Sequence, residues 1–180
     1  TLLYAIIAML AKKGQDPLLA GPLKQRPVSV ASVLYRAYSS LRYRHLCPWM
    51  ASWIHENFRG GVPGGDCKDL TIEMGLDIEA AAADGEALWG LNEDIKKYYD
   101  TMVRQIIFSA AQKLGAPSGF MDSQLRFYAG LQRAFKYGRS IGPFFLAMVS
   151  VLQGCALSRI WANTDGSCWA WAVEEKASVT

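Results

Sequence analysis

Leu91-Asn92-Glu93-Asp94-Ile95-Lys96-Lys97-Tyr98-Tyr99-Asp100 is the stretch on which the reading of this chain turns. With Ala87-Leu88-Trp89-Gly90 before it, the first half is short, mostly apolar and closed by acids. That predicts a buried strand, Leu88–Asp94, with carboxylates at its end. From Tyr98 the period changes. Met102, Ile106 and Ala110 fall on one stripe, which predicts a helix from Tyr98 to Leu114. Gly115-Ala116-Pro117-Ser118-Gly119 then breaks it.

Outward from this stretch the same rules apply. Leu2–Leu10 reads as a short buried strand or helix, and Lys12–Pro17 and Gly21-Pro22 as loops. Val28 to about Ile54 reads as helix: Val30, Val33, Leu34, Ala37, Leu41 and Leu46 recur at short steps, with Arg36, Arg42 and Arg44 between them. Pro48 interrupts that helix or begins another. Phe58–Gly65 holds four glycines in eight residues and must be an open loop. Asp66 reads as the N-cap of a helix to about Ala83, with Asp66, Asp69, Glu73 and Asp77 on its solvated face and Leu70 and Met74 on a buryable one. Ser123–Phe135 is predicted as an amphipathic helix carrying Arg126 and Arg133, and Phe144–Leu152 as a strand that Gln153-Gly154 turns into a possible helix. His45 and His55 stand in no motif.

Composition narrows the classes. With 51% apolar and 19% charged residues, 180 residues can bury a core, which excludes a disordered tail or a collagen-like chain. Leu2–Leu10 is about half the ~20 residues a membrane-crossing helix needs. It lacks the flanks of a signal peptide, so no membrane partner is expected. The chain opens on Thr1 rather than Met, which reads as the edge of a fragment. Cys47, Cys67, Cys155 and Cys168 form no CxxC pair and have no histidine cluster, so they read as reduced thiols in an intracellular setting, nuclear or cytoplasmic. The net charge of +3 is unevenly spread. Residues 1–60 carry eight Lys/Arg against two acids, residues 61–100 three against ten, and residues 101–160 seven against one. Basic surfaces either side of an acidic centre suit a polyanion with bound metal.

The opening stretch resembles the first palm motif of reverse transcriptases, an apolar strand ending in Asp, then an aromatic, then Asp. About fifty residues on, Gln153-Gly154-Cys155-Ala156-Leu157-Ser158 is similar to the family's Gln-Gly-x-x-Leu-Ser segment. Upstream, Arg26-Pro27-Val28-Ser29 resembles the Arg-Pro-Ile-Ser of the fingers, and Met9-Leu10-Ala11-Lys12 its apolar strand end with Lys. The Phe58–Gly65 loop sits where the family has Phe-Arg-x-Gly. The signals occur in family order across residues 4–159 and look most like the non-LTR retrotransposon and group II intron branch.

The resemblance implies an α+β right-hand polymerase fold, mostly helical with a small antiparallel sheet: fingers over residues 1–86, a partial palm over 87–159, and a divergent tail over 160–180. It implies RNA-directed DNA synthesis by a nucleotidyltransferase using Mg²⁺, an RNA template, a DNA primer and deoxynucleoside triphosphates. Asp94 would be the catalytic metal ligand with the Ile95 carbonyl beside it. Lys12 and Arg26 would touch the triphosphate, Tyr99 would exclude the ribose 2′-hydroxyl, and Gln153 and Gly154 would face the nascent pair. Asp100 belongs to the motif without being a ligand. The family's aromatic-x-Asp-Asp turn is missing, since no Asp-Asp pair occurs in the chain. Arg159 stands where Pro usually follows Leu-Ser, and Ala156 departs from the common Pro. The thumb is missing as well. The expectation is therefore an incomplete, inactive polymerase fragment. The alternatives are a noncatalytic nucleic-acid-binding remnant of a retroelement and a helical interaction domain.

Overall fold

The computed structural model describes residues 3–11, 14, 16, 25–90 and 94–177. Eleven elements follow one another among these residues: β1 Tyr4–Ala11, β2 Gln25–Ala31, α1 Val33–Ala51, α2 Cys67–Asp84, α3 Tyr98–Thr101, α4 Arg104–Lys113, α5 Ser118–Gly130, β3 Gln132–Tyr137, β4 Ser140–Ile141, β5 Phe145–Leu146 and α6 Ser158–Ala177. The fold is mixed α/β and about half helical. No helix among the described residues is long and apolar enough to cross a membrane.

The sheet runs β2-β1-β3-β4, with β5 also on β3. It is mixed rather than antiparallel. β2 pairs antiparallel with β1, Ala5 opposite Ala31 and Leu10 opposite Arg26. β3 pairs parallel with β1, Ala5 opposite Arg133. The parallel pairing corrects the expected all-antiparallel sheet. It arises because the chain passes through five helices before it returns to β1 as β3, a crossover that no hairpin could make. Pro27 fits in β2 because β2 is an edge strand, where a missing N–H breaks no ladder.

Several predicted elements shift. The helix expected from Val28 begins only at Val33, because β2 holds the chain to Ala31 and Ser32 caps α1, accepting from the Tyr35 amide at 3.2 Å. Pro48 lies inside α1 without ending it. Asp66 caps α2 as expected, accepting from the Lys68 amide at 3.0 Å, and Gly85 closes it at φ 68°. The side of α2 expected to be buried is not: the helix has no buried residue, and Leu70, Met74, Leu76 and Ile78 are exposed. The expected strand Leu88–Asp94 is not formed where it is described. Leu88, Trp89 and Asp94 are exposed and irregular, and no strand among the described residues pairs with them. Phe144–Leu152 contributes only Phe145–Leu146 to the sheet, because Ser150 and Val151 bond to the Met102 and Tyr99 carbonyls instead. The helix expected over Ser123–Phe135 ends at Gly130 and continues as β3. The helix expected over Tyr98–Leu114 is split at Met102–Val103 into α3 and α4.

The core lies among α1, α4, α5 and α6, closed by the Val151–Leu157 segment and by Ala5 and Ala31 of the sheet. Trp161 is fully buried between Phe108 and Phe120, ring centroids 4.7 and 5.5 Å away. Tyr35 stacks on Phe127 at 3.9 Å. Residues 160–177, set apart by sequence as a tail, thus run on in helix from Ser158 and supply part of this core.

Candidate functional site

The site is built around the turn Gln153-Gly154. Val151 and Leu152 before it are buried, and three neighbours pin it. The Val151 amide donates to the Tyr99 carbonyl at 3.0 Å, the Leu152 amide to the Tyr128 hydroxyl at 3.3 Å, and Ser29 of β2 donates to the Gln153 carbonyl at 3.2 Å. Gly154 has φ 103°, which L side chains rarely adopt, and a Cβ there would sit 3.3 Å from the Ser29 carbonyl oxygen. The turn is therefore seated on β2 and beside α3.

A cleft of about 430 Å³ opens at this turn. It is lined by Tyr99, Gln153 and Gly154, which sequence had singled out, together with Arg36, Ser40 and Arg159. A second cleft of about 350 Å³ shares Tyr99 and Arg159 and reaches the Gly60-Gly61 loop. Arg159 is held from two sides. Its side chain crosses Gly61, where a Cβ would lie 3.1 Å from the Arg159 Cβ and Cδ. Its guanidinium lies 5.8 Å from the centroid of the Tyr43 ring. Tyr43 donates its hydroxyl to the Gly61 carbonyl, and burial beside Cys47 pushes its pKa up while Arg159 opposes the shift.

Behind the turn lies a buried cation. Arg133, 3% exposed, donates to the Ser150 hydroxyl and, at 3.4 Å, to the Ser150 carbonyl. Burial lowers its pKa, with Tyr128 opposing. Arg104 packs over the Tyr128 ring at 5.1 Å and donates to the Ala147 carbonyl. Sequence placed Arg133 on a helix face. Its burial follows from β3, whose first residues run between β1 and β5.

The other sequence-predicted residues stand elsewhere. Arg26 is exposed on β2 and lines neither cleft, though its strand carries the Ser29 bond to the turn. Asp94 is exposed and lines neither cleft. Ile95 lines a separate hollow of about 200 Å³ with Tyr98, Met102, Ile106 and Asp165. Lys12 lies outside the described residues. Sequence reading missed Arg36 as a site residue, because an Arg between apolar helix positions looks like any solvated charge. Arg159 was legible only as a departure from a motif.

No protein-family model matches the chain. Over 142 residues it is 27% identical to the retrovirus-related Pol polyprotein from type-2 retrotransposable element R2DM of Drosophila melanogaster. That match takes in 79% of this chain. The chain is similar to a retrotransposon polyprotein. It spans 13% of that polyprotein's length.

Proposed function

We propose that this chain is the fingers and part of the palm of a retroelement reverse transcriptase, and that alone it holds nucleic acid without extending a primer. The observation that carries the reading is the meeting of Tyr99 with Gln153-Gly154 in one cleft, from segments about fifty residues apart. The similarity to a retrotransposon Pol polyprotein supports the same origin.

In this reading the cleft receives the template–primer end. The Tyr99 ring flanks the sugar of an incoming deoxynucleotide, and the Gln153-Gly154 turn backs the nascent pair. Arg26 of β2 lies outside both clefts and would meet a triphosphate that extends beyond them, where a forked guanidinium suits phosphate; Lys12, whose compact ammonium also suits phosphate, keeps the same role in this proposal. Mg²⁺ in such a reaction steadies the charge on the transferred phosphoryl group. The donor set at hand does not fit a held ion. Asp94 offers one exposed carboxylate and Ile95 one carbonyl, and no three His, Cys, Asp or Glu side chains cluster among the described residues. Phosphoryl transfer rests almost wholly on positioning and electrostatics, so a one-carboxylate site loses several orders of magnitude in rate.

The test is primer extension on an RNA template with Mg²⁺ or Mn²⁺. The 180-residue chain is compared with a version to which a reverse-transcriptase Asp-Asp palm segment and thumb are fused. Extension only by the longer version, abolished by Asp94→Ala, is the expected result. Extension by the 180-residue chain itself, lost in Asp94→Ala, would overturn the ligand argument. Failure of the longer version with intact folding and no affinity for template–primer would overturn the family reading.

A further inference from the structure

We infer that Arg36 of α1 and Arg159 of α6 form a two-guanidinium seat for the phosphates of a nucleic-acid strand, so that the strand is anchored between these helices independently of any metal. The inference rests on the nucleic-acid reading above and adds to it the residues that grip the strand.

Both side chains line the cleft of about 430 Å³. The ion pairs among the described residues are His55–Glu174 and Arg59–Glu73, so neither Arg36 nor Arg159 is matched to a carboxylate there. Two cations facing one concavity repel each other and lack a counter-charge, which an anion between them supplies. Arg159 is also fixed in place, by Gly61 along its stem and by the Tyr43 ring at its head. A pre-set fork loses less freedom on gripping phosphate than a free side chain would. Two of the neighbouring hydroxyls are engaged elsewhere: Ser39 donates to the Arg36 carbonyl at 2.9 Å and Ser158 to the Leu152 carbonyl.

The shape favours a strand over a small ion. The cleft adjoins the second one of about 350 Å³, with Tyr99 and Arg159 lining both, so the concave surface extends beyond a point. Tyr99 supplies an aromatic face beside the two cations, the pairing of stacking and charge by which single strands are held. An acidic protein segment would use the cations but not the ring.

The experiment is fluorescence anisotropy of labelled twenty-residue oligo-U and oligo-dT with the 180-residue chain over a salt series. Inorganic pyrophosphate and polyglutamate serve as competitors. Arg36→Met and Arg159→Met are each compared with Arg139→Met, an exposed charge on the β3–β4 turn that lines neither cleft. Each cleft variant should weaken binding about tenfold and lower the salt slope by about one, since a charge-assisted contact and one released counterion are lost. Arg139→Met should change affinity by about twofold at most. Arg159→Lys should recover part of the loss, because charge returns without the fork. Thermal unfolding checks each variant, and Arg36→Met gives a second reading from another helix should Arg159→Met fail to fold. Cleft variants no weaker than Arg139→Met would overturn the seat while leaving the nucleic-acid reading intact. Equal displacement by polyglutamate or by pyrophosphate at matched charge would overturn the strand as occupant. No salt-sensitive binding by the unmodified chain would overturn both the seat and the reading beneath it.

Discussion

Ser29 donates its amide to the Gln153 carbonyl at 3.2 Å, and this one bond couples the outer edge of the sheet to the turn at the head of the cleft. β2 is an edge strand, so its outward N–H groups need a partner or water. Pro27, two residues before Ser29, has no N–H to satisfy on that side. Ser29 has one, and the turn takes it. The edge that would otherwise be an open pairing site thus becomes the floor under Gly154.

Gly154→Ala should therefore loosen the cleft. The methyl would meet the Ser29 carbonyl oxygen at 3.3 Å, on a backbone whose φ of 103° L residues avoid. The expected loss is about 1–3 kcal/mol, or a Tm lower by several degrees. Hydrogen exchange at the Ser29 amide should rise with it. An unchanged Tm and unchanged Ser29 protection would show that the turn is not seated on β2.

Arg133 holds the other end of the same segment. Its guanidinium meets Ser150, a non-glycine residue at φ 78°, whose amide donates to the Met102 carbonyl at 2.8 Å. Arg133→Ala removes a buried side chain and leaves the Ser150 carbonyl without its donor. A loss of about 2–4 kcal/mol is expected. Arg133→Met should lose less, because it refills the volume and removes a cation that burial disfavours. Exchange at the Val151 amide should speed up in Arg133→Ala more than in Arg133→Met. Equal, small effects in both variants would mean that Ser150 holds its conformation unaided.

What the sequence disclosed divides by the range of the forces involved. Local signals were readable: Asp66 capping α2, the Phe58–Gly65 loop, and the turn at Gln153-Gly154 each depend on residues a few positions apart. Pairing across the chain was not. Val28–Ala31 has apolar spacing that a helix could use, and only β1 opposite it decides for strand. Leu88–Asp94 has the composition of a buried strand, yet composition supplies no neighbour to pair with. The cleft was half legible. Tyr99, Gln153 and Gly154 stand in recognisable patterns, whereas Arg36 and Arg159 gain meaning only when the fold brings them to one cleft.

The cysteines offer a test of local exposure. Cys67 is exposed at the start of α2, whereas Cys155 is buried. Cys168 is intermediate, and burial, then Asp165, raises its thiol pKa. The thiolate is the reactive form, so a raised pKa leaves less of it at a given pH. Alkylation by iodoacetamide at pH 8 should modify Cys67 first and Cys168 much later, with Cys168 gaining as pH rises. Asp165→Asn should speed Cys168 by removing the nearby negative charge. Modification of Cys168 ahead of Cys67 would contradict the placement of α6.

The last prediction concerns residues 160–180, which by sequence alone look detachable from the rest. Ile160 and Trp161 are fully buried, and Asn163, Thr164 and Ser167 are buried with them. Trp161 fills the space between Phe108 of α4 and Phe120 of α5, and the Trp49 ring N–H donates to the Leu114 carbonyl at the end of α4, at 2.8 Å. Removing a buried Trp costs about 3–5 kcal/mol. A domain of this size has only about 5–15 kcal/mol in total. Trp161→Ala should therefore lower Tm sharply while leaving a cooperative transition. A chain ending at Ser158 loses Ile160 and the buried polar face as well, and should show no cooperative unfolding. Trp169→Ala is the control, since Trp169 is 50% exposed on the far half of the same helix, and it should shift stability by about 0.5 kcal/mol or less. If the chain ending at Ser158 unfolds cooperatively with the Tm of the whole, α6 is an appendage and the core described for it is wrong.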